Sequence, residues 1–136
     1  MSKTIALIGA LDSKGDEFAF VKAAIENRGH QVLMINTGII GEPAFAPDIS
    51  AAEVAGAGGV ALQTLREKAD RGNAIDVMTK GAAGMAKTLF SQGKFDGIMG
   101  MGGSAGTAIA TAAMRQLPVG FPKVVVSTLA AGDTSA

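Results

Sequence analysis

Gly100-Met101-Gly102-Gly103-Ser104-Ala105-Gly106-Thr107 is the stretch of this chain best suited to chemistry. The apolar run Phe95 to Met101 leads into it, and a small-residue helical pattern follows. Glycines remove side chains from a turn, so backbone N–H groups can approach an anion closely. The N-terminus of the next helix adds a positive dipole. The chemistry implied is phosphate binding, with Gly102, Gly103 and Gly106 forming the turn and Ser104 and Thr107 adding hydroxyl donors. The same glycines would also serve close strand–helix packing, with Ser104 as a simple N-cap. The dinucleotide fingerprint is not met. Ala105 stands where its third glycine belongs, and the next strand ends in Ser127 and Thr128 rather than in an acid. Gly81-Ala82-Ala83-Gly84-Met85-Ala86-Lys87-Thr88 nearly matches a Walker A loop, with Ala86 replacing the second glycine. A P-loop must follow a strand, however, and this stretch lies inside an amphipathic helical pattern.

Three further polar segments end predicted strands: Leu11-Asp12-Ser13-Lys14, Thr37-Gly38, and Ser127-Thr128 followed by Gly132-Asp133-Thr134. Lys14 can neutralise a phosphate, and Asp12 can hold Mg2+ or a ribose hydroxyl. Asp12 reads equally well as a helix N-cap, with Asp16 and Glu17 in the first turn. Asp133 is a free carboxylate near the same edge or a turn former. His30, the only histidine, precedes a strand and so falls at the opposite end of the sheet from these segments. No Ser/His/Asp triad, metal-ligand cluster or carboxylate pair can be assembled. The chain is equipped to bind rather than to carry out a reaction alone, and whether it belongs to an enzyme is left open.

The elements that must position these residues follow from periodicity. Thr4 to Gly9 is a continuous apolar run, the mark of a strand buried on both faces. Phe18, Val21, Ala24 and Ile25 have helical spacing, closed by Gly29, and Gln31 to Asn36 is a second strand. This βαβ unit requires parallel strands. Thr37 to Asp48 is an extended loop, and Ser50 with Glu53 forms a capping box. A helix is predicted over Ala61 to Arg71, and Asn73 can cap the next one, whose apolar stripe runs from Ile75 to Phe90. Phe95 to Met101 is the third strand, and Lys123 to Ser127 is a fourth parallel one. The fold class is α/β, an open, mainly parallel Rossmann-like sheet flanked by helices and truncated after the fourth strand. Ligands of such sheets bind at the carboxyl ends of the strands, where all four polar segments converge.

Composition limits the alternatives. A chain of 136 residues makes one domain, 1–136, and it reads as the N-terminal fragment of a longer two-domain protein. Twelve basic and twelve acidic residues give no net charge, and Trp and Tyr are absent, so direct nucleic-acid binding is not expected. Zero cysteines exclude disulfides and thiolate zinc sites. No membrane-spanning run or signal peptide is present, and a cytoplasmic location is expected.

Gly9-Ala10-Leu11-Asp12-Ser13-Lys14-Gly15-Asp16-Glu17, Asp48-Ile49-Ser50, Asp70-Arg71-Gly72 and Gly102 to Thr107 resemble the Tm-1-like ATP-binding family, also catalogued as an uncharacterised protein family. So does Leu117-Pro118-Val119-Gly120-Phe121-Pro122-Lys123, with Ser127-Thr128 and Gly132-Asp133 after it. The resemblance implies an ATP-binding α/β domain; Mg2+ as an optional companion of the nucleotide and a homo-oligomeric assembly are expected beside it. It also implies a second, TIM-barrel-like domain that this chain lacks. On that analogy ATP contacts Asp12, Ser13, Lys14, Thr37, Gly38, the 102–107 turn, Thr128, Gly132, Asp133 and Thr134. Two other readings stand beside it: a protein-interaction or regulatory module, and the nucleotide half of an ATP-dependent enzyme completed by the absent domain.

Overall fold

Ile5 to Ile8 can be buried on both faces only inside a sheet, and the computed structural model places them there. It describes residues 2–68 and 70–128. β1 (Thr4–Gly9) lies between β2 (Gln31–Asn36) and β3 (Gly97–Gly102), and β4 (Lys123–Ser127) follows β3. All pairs are parallel, in the order β2-β1-β3-β4. The connection leaving β1 runs to one side and that leaving β3 to the other. The switch point of the sheet is therefore the β1–β3 boundary.

Helices cover both faces unequally. α2 (Ala51–Ala57), α3 (Leu62–Lys68), α4 (Arg71–Ser91) and α5 (Ser104–Met114) belong to one face. There Val54, Leu65, Met78, Ala82 and Ile109 pack on Ala6, Ile8, Ile35 and Ile98. α1 (Gly15–Asn27) covers the other, where its Phe18 meets Leu7, Leu11 and Met34. The small residues set the interlayer distances. A Cβ on Gly100 would stand 2.5 Å from the Ala110 Cβ, and one on Gly81 would overlap the Val54 carbonyl oxygen. α4 and α2 thus approach through a bare backbone at the first residue of the Walker-like stretch, which is helical throughout.

Local signals explain most boundaries. Ser50 and Glu53 form the reciprocal capping box at α2, with Ser50 Oγ accepting from Glu53 N at 3.1 Å. Gly29 takes φ 85° just past α1, a conformation that favours glycine. Three predictions need correction. The helix expected over Ala61 to Arg71 is Leu62–Lys68, and α4 already begins at Arg71. The cap of α4 is Asp70, whose carboxylate accepts from Asn73 N at 3.1 Å, so Asn73 is the capped residue and not the cap. β3 also starts two residues late. Asp96 is tied to Thr4 through its backbone N–H at 2.7 Å and its carboxylate at 2.9 Å. Phe95 turns instead into an edge-to-face trio with Phe90 and Phe121.

The two sheet edges differ. Beside β2, Ile49 bridges Ile35, and Asp48 accepts from Met34 N at 2.7 Å, so the returning loop straps that edge. On β4, Val124, Val125 and Val126 are 54%, 40% and 52% exposed, and among the described residues no strand pairs outside them. Val124 and Val126 are in register with Met99 and Met101 on the α1 face.

Candidate functional site

A cleft of about 280 Å³ opens at the carboxyl edge of the sheet, on the α4–α5 face. Ala10, Asp12 and Ser13 from the end of β1 form one wall, with Thr37 and Gly38 from the end of β2. Ala105, Gly106 and Ile109 of α5 face them, and Ile75 and Met78 of α4 supply an apolar floor.

The β2 loop is held from several directions. The Asp12 carboxylate accepts from Ile40 N at 3.1 Å and Gly41 N at 3.0 Å. Gly38 packs against that carboxylate so closely that a Cβ would overlap Oδ1 and lie 2.7 Å from Cγ. Asn36, 3% exposed, uses its Oδ1 to accept from Leu11 N at 3.1 Å and Gly38 N at 2.9 Å, joining the β1 and β2 loops. Arg66 donates through Nε to the Ile39 carbonyl. Asp12 is therefore a loop clamp and not an N-cap. The N-cap position of α1 is Lys14, whose side chain makes no capping bond.

The helix termini are not equivalent. α1 carries Asp16 and Glu17 in its first turn, and α4 is capped by Asp70. α5 has neither: its N-cap is Gly103, no side chain caps it, and its first turn holds no acid. The first backbone donor satisfied there is Thr107 N, bonded to Gly103 O at 2.9 Å. Among the described residues no backbone acceptor is bonded to the N–H groups of Ser104, Ala105 and Gly106, which stand at the positive end of the dipole. Ser104 is the first helical residue, so its reading as the N-cap does not hold.

The structure brings together only part of the predicted set. Asp12, Ser13, Thr37, Gly38 and Gly106 line the cleft. Gly102 and Gly106 pack strand against helix, since a Cβ on Gly102 would lie 2.9 Å from the Gly106 Cα. The Thr107 and Ser127 hydroxyls bond to each other, turning Thr107 toward β4. Gly103, Ser104 and Lys14 do not line the cleft, and Thr128 bonds by its N–H to Gly102 O at 3.2 Å. Gly132, Asp133 and Thr134 lie outside the described residues. His30 sits at the far edge, its Nδ1 accepting from Lys3 N at 3.0 Å.

Asn36 and Arg71 were not legible as site residues. Asn36 closes a continuous apolar strand, and that abrupt polar residue was the available signal. Arg71 lines both this cleft and an adjoining chamber of about 350 Å³. Among the described residues no group of three His, Cys, Asp or Glu side chains could hold a metal, and no helix is long and apolar enough to cross a membrane.

Comparison with known proteins gives the relationships. Residues 3–136 match the model of the Uncharacterised protein family (UPF0261) N-terminal domain. A UPF0261 protein of Clostridium tetani is 48% identical over 98% of this chain and 33% of its own length. One from Rhizobium meliloti is 38% identical over 96% of this chain and 32% of its own. The chain thus spans about a third of the curated relatives it matches. The ToMV susceptible protein tm-1(GCR26) of Solanum lycopersicum is 41% identical, but over only 47% of this chain and 8% of that protein. The ATP-binding designation implied by the resemblance does not come with the matched model. What the matches do carry is membership: the chain belongs to the uncharacterised protein family UPF0261, as its N-terminal domain.

Proposed function

We propose that this domain binds ATP, with the phosphates at the N-terminus of α5 and the rest of the nucleotide in the cleft at the β1–β3 switch point. One observation carries the reading. Among the described helices longer than two turns, α5 alone lacks both a side-chain cap and a first-turn acid, and it opens onto the cleft. Anion binding by such a terminus needs no basic side chain. A Mg2+ ion would arrive on the phosphates and take most of its ligands from them and from water, with Asp12 as the nearby carboxylate.

Gly103→Val tests the reading, because among the described residues a Cβ there meets only Thr128 Oγ1, at 3.7 Å. The variant keeps its fold while its side chain crowds the N–H groups of α5. ATP at millimolar concentration raises the Tm of the wild-type chain, and the shift disappears in Gly103→Val. Absence of a shift in the wild-type chain with any nucleotide refutes the proposal.

A second reading, an interaction module, is favoured by the valines on β4. An unpaired apolar edge strand is a template for another chain, and a second copy would make the domain a homo-oligomer. Self-association that persists in Gly103→Val and is lost in Val124→Lys supports it. If the whole protein uses ATP in catalysis, hydrolysis or transfer will appear only in chains of the relatives' full length.

A further inference from the structure

The chamber beside the cleft has a different character. Ile39, Ile40, Leu65 and Ala74 line it, with Arg66, Asp70 and Arg71 at its rim. Ile39, Ile40, Arg71 and Ala74 belong to both spaces, so the two are continuous. Polar groups from the strand ends (Asp12, Ser13, Thr37) face only the inner cleft. Ile40 is 89% exposed, yet its backbone is fixed by Asp12, and the neighbouring Ile39 carbonyl is held by Arg66. A large aliphatic side chain is thus held in water by a clamped loop, at the mouth of an apolar space. Exposure of one isoleucine is ordinary by itself; its place on a clamped loop beside a concave, mainly aliphatic space is what fits a ligand site.

We infer that this outer chamber receives the nucleobase, with Ile40 as a lip closing over one face of the ring and the Arg71 guanidinium available to the other. The inference rests on the nucleotide reading above. The inner cleft, about 280 Å³, falls just below the usual range for small-molecule sites, so a nucleoside triphosphate must extend beyond it. The polar groups sort the ligand: phosphates and ribose to the inner cleft, the flat and weakly hydrated base to the aliphatic walls outside. An arginine plane over a purine adds stacking and cation–π attraction without reading its edge. The chamber therefore accepts ATP and GTP with similar affinity.

Calorimetric titration of the 136-residue chain with ATP, GTP and inorganic tripolyphosphate tests this. The proteins compared are wild type, Ile40→Ser and Ile40→Leu. Ile40 is exposed, so Ile40→Ser keeps the wild-type Tm. Its ATP affinity falls about three- to tenfold, the scale of a partly buried aliphatic contact. Tripolyphosphate affinity stays unchanged, and Ile40→Leu restores ATP binding. If tripolyphosphate binds but Ile40→Ser leaves ATP affinity intact, or loses both ligands equally, the base chamber is refuted and the phosphate site survives. If neither ATP nor tripolyphosphate binds the wild-type chain, the nucleotide reading falls with it.

Discussion

Gly38→Ala is a substitution whose effect depends almost wholly on a residue 26 positions away. Gly38 does not take a positive φ, so its backbone accepts alanine without strain. The new methyl would overlap Asp12 Oδ1 and stand 2.7 Å from Cγ. Overpacking of this kind costs about 1–3 kcal/mol, less the roughly 0.5 kcal/mol gained by stiffening the unfolded chain. Asp12→Ala removes the acceptor of Ile40 N and Gly41 N. That loss is about 1–3 kcal/mol for bonds to a charged group on a half-exposed loop. In the double variant the clash has no partner. Its cost should therefore match Asp12→Ala alone, with a coupling energy of about 1–2 kcal/mol. Urea unfolding of the four proteins, followed by far-UV circular dichroism, measures the cycle. Additive costs, with coupling below about 0.5 kcal/mol, would refute the clamp.

Other expectations follow from the same contacts. Asn36→Ala leaves Leu11 N and Gly38 N buried without an acceptor, so the urea midpoint should fall by the equivalent of about 2–4 kcal/mol. Gly81→Ala and Gly84→Ala should have opposite signs. The first drives a methyl into the Val54 carbonyl and destabilises by about 2 kcal/mol or more, while the second meets nothing within 4 Å and gains about 0.5–1 kcal/mol of helix propensity. Thermal melts of the pair decide it. Val124→Lys, at an exposed position on an edge strand, should leave Tm within about 2 °C and reduce concentration-dependent association in sedimentation runs.

The strands were the most legible part of the sequence, because burial on both faces leaves a continuous apolar run that few other structures produce. β1, β2 and β4 fall on their predicted residues, as does the capping box of α2. The errors have a common physical origin. Asp12 was weighed as a local cap, but its partners lie 28 and 29 residues away, and no short-range rule carries that information. Asn73 and Asp70 are both good caps by type, and the choice between them is made by where α3 ends. Of the two readings of Gly102, phosphate turn and close packing, the structure shows the packing: a Cβ there would lie 2.9 Å from the Gly106 Cα. That β4 is the outer strand among the described residues follows from the strand order, which no local pattern carries.

The clamped loop at residues 38–41 also bears on how fast a ligand is captured. Its backbone is already held by Asp12, Asn36 and Arg66, so its ordering is complete when the chain folds. A ligand entering beneath it has no segment to freeze and no closure to wait for. Association should be a single step, with an observed rate rising linearly with ligand concentration and no plateau. The heat-capacity change should match the apolar surface covered, without the excess that accompanies coupled folding.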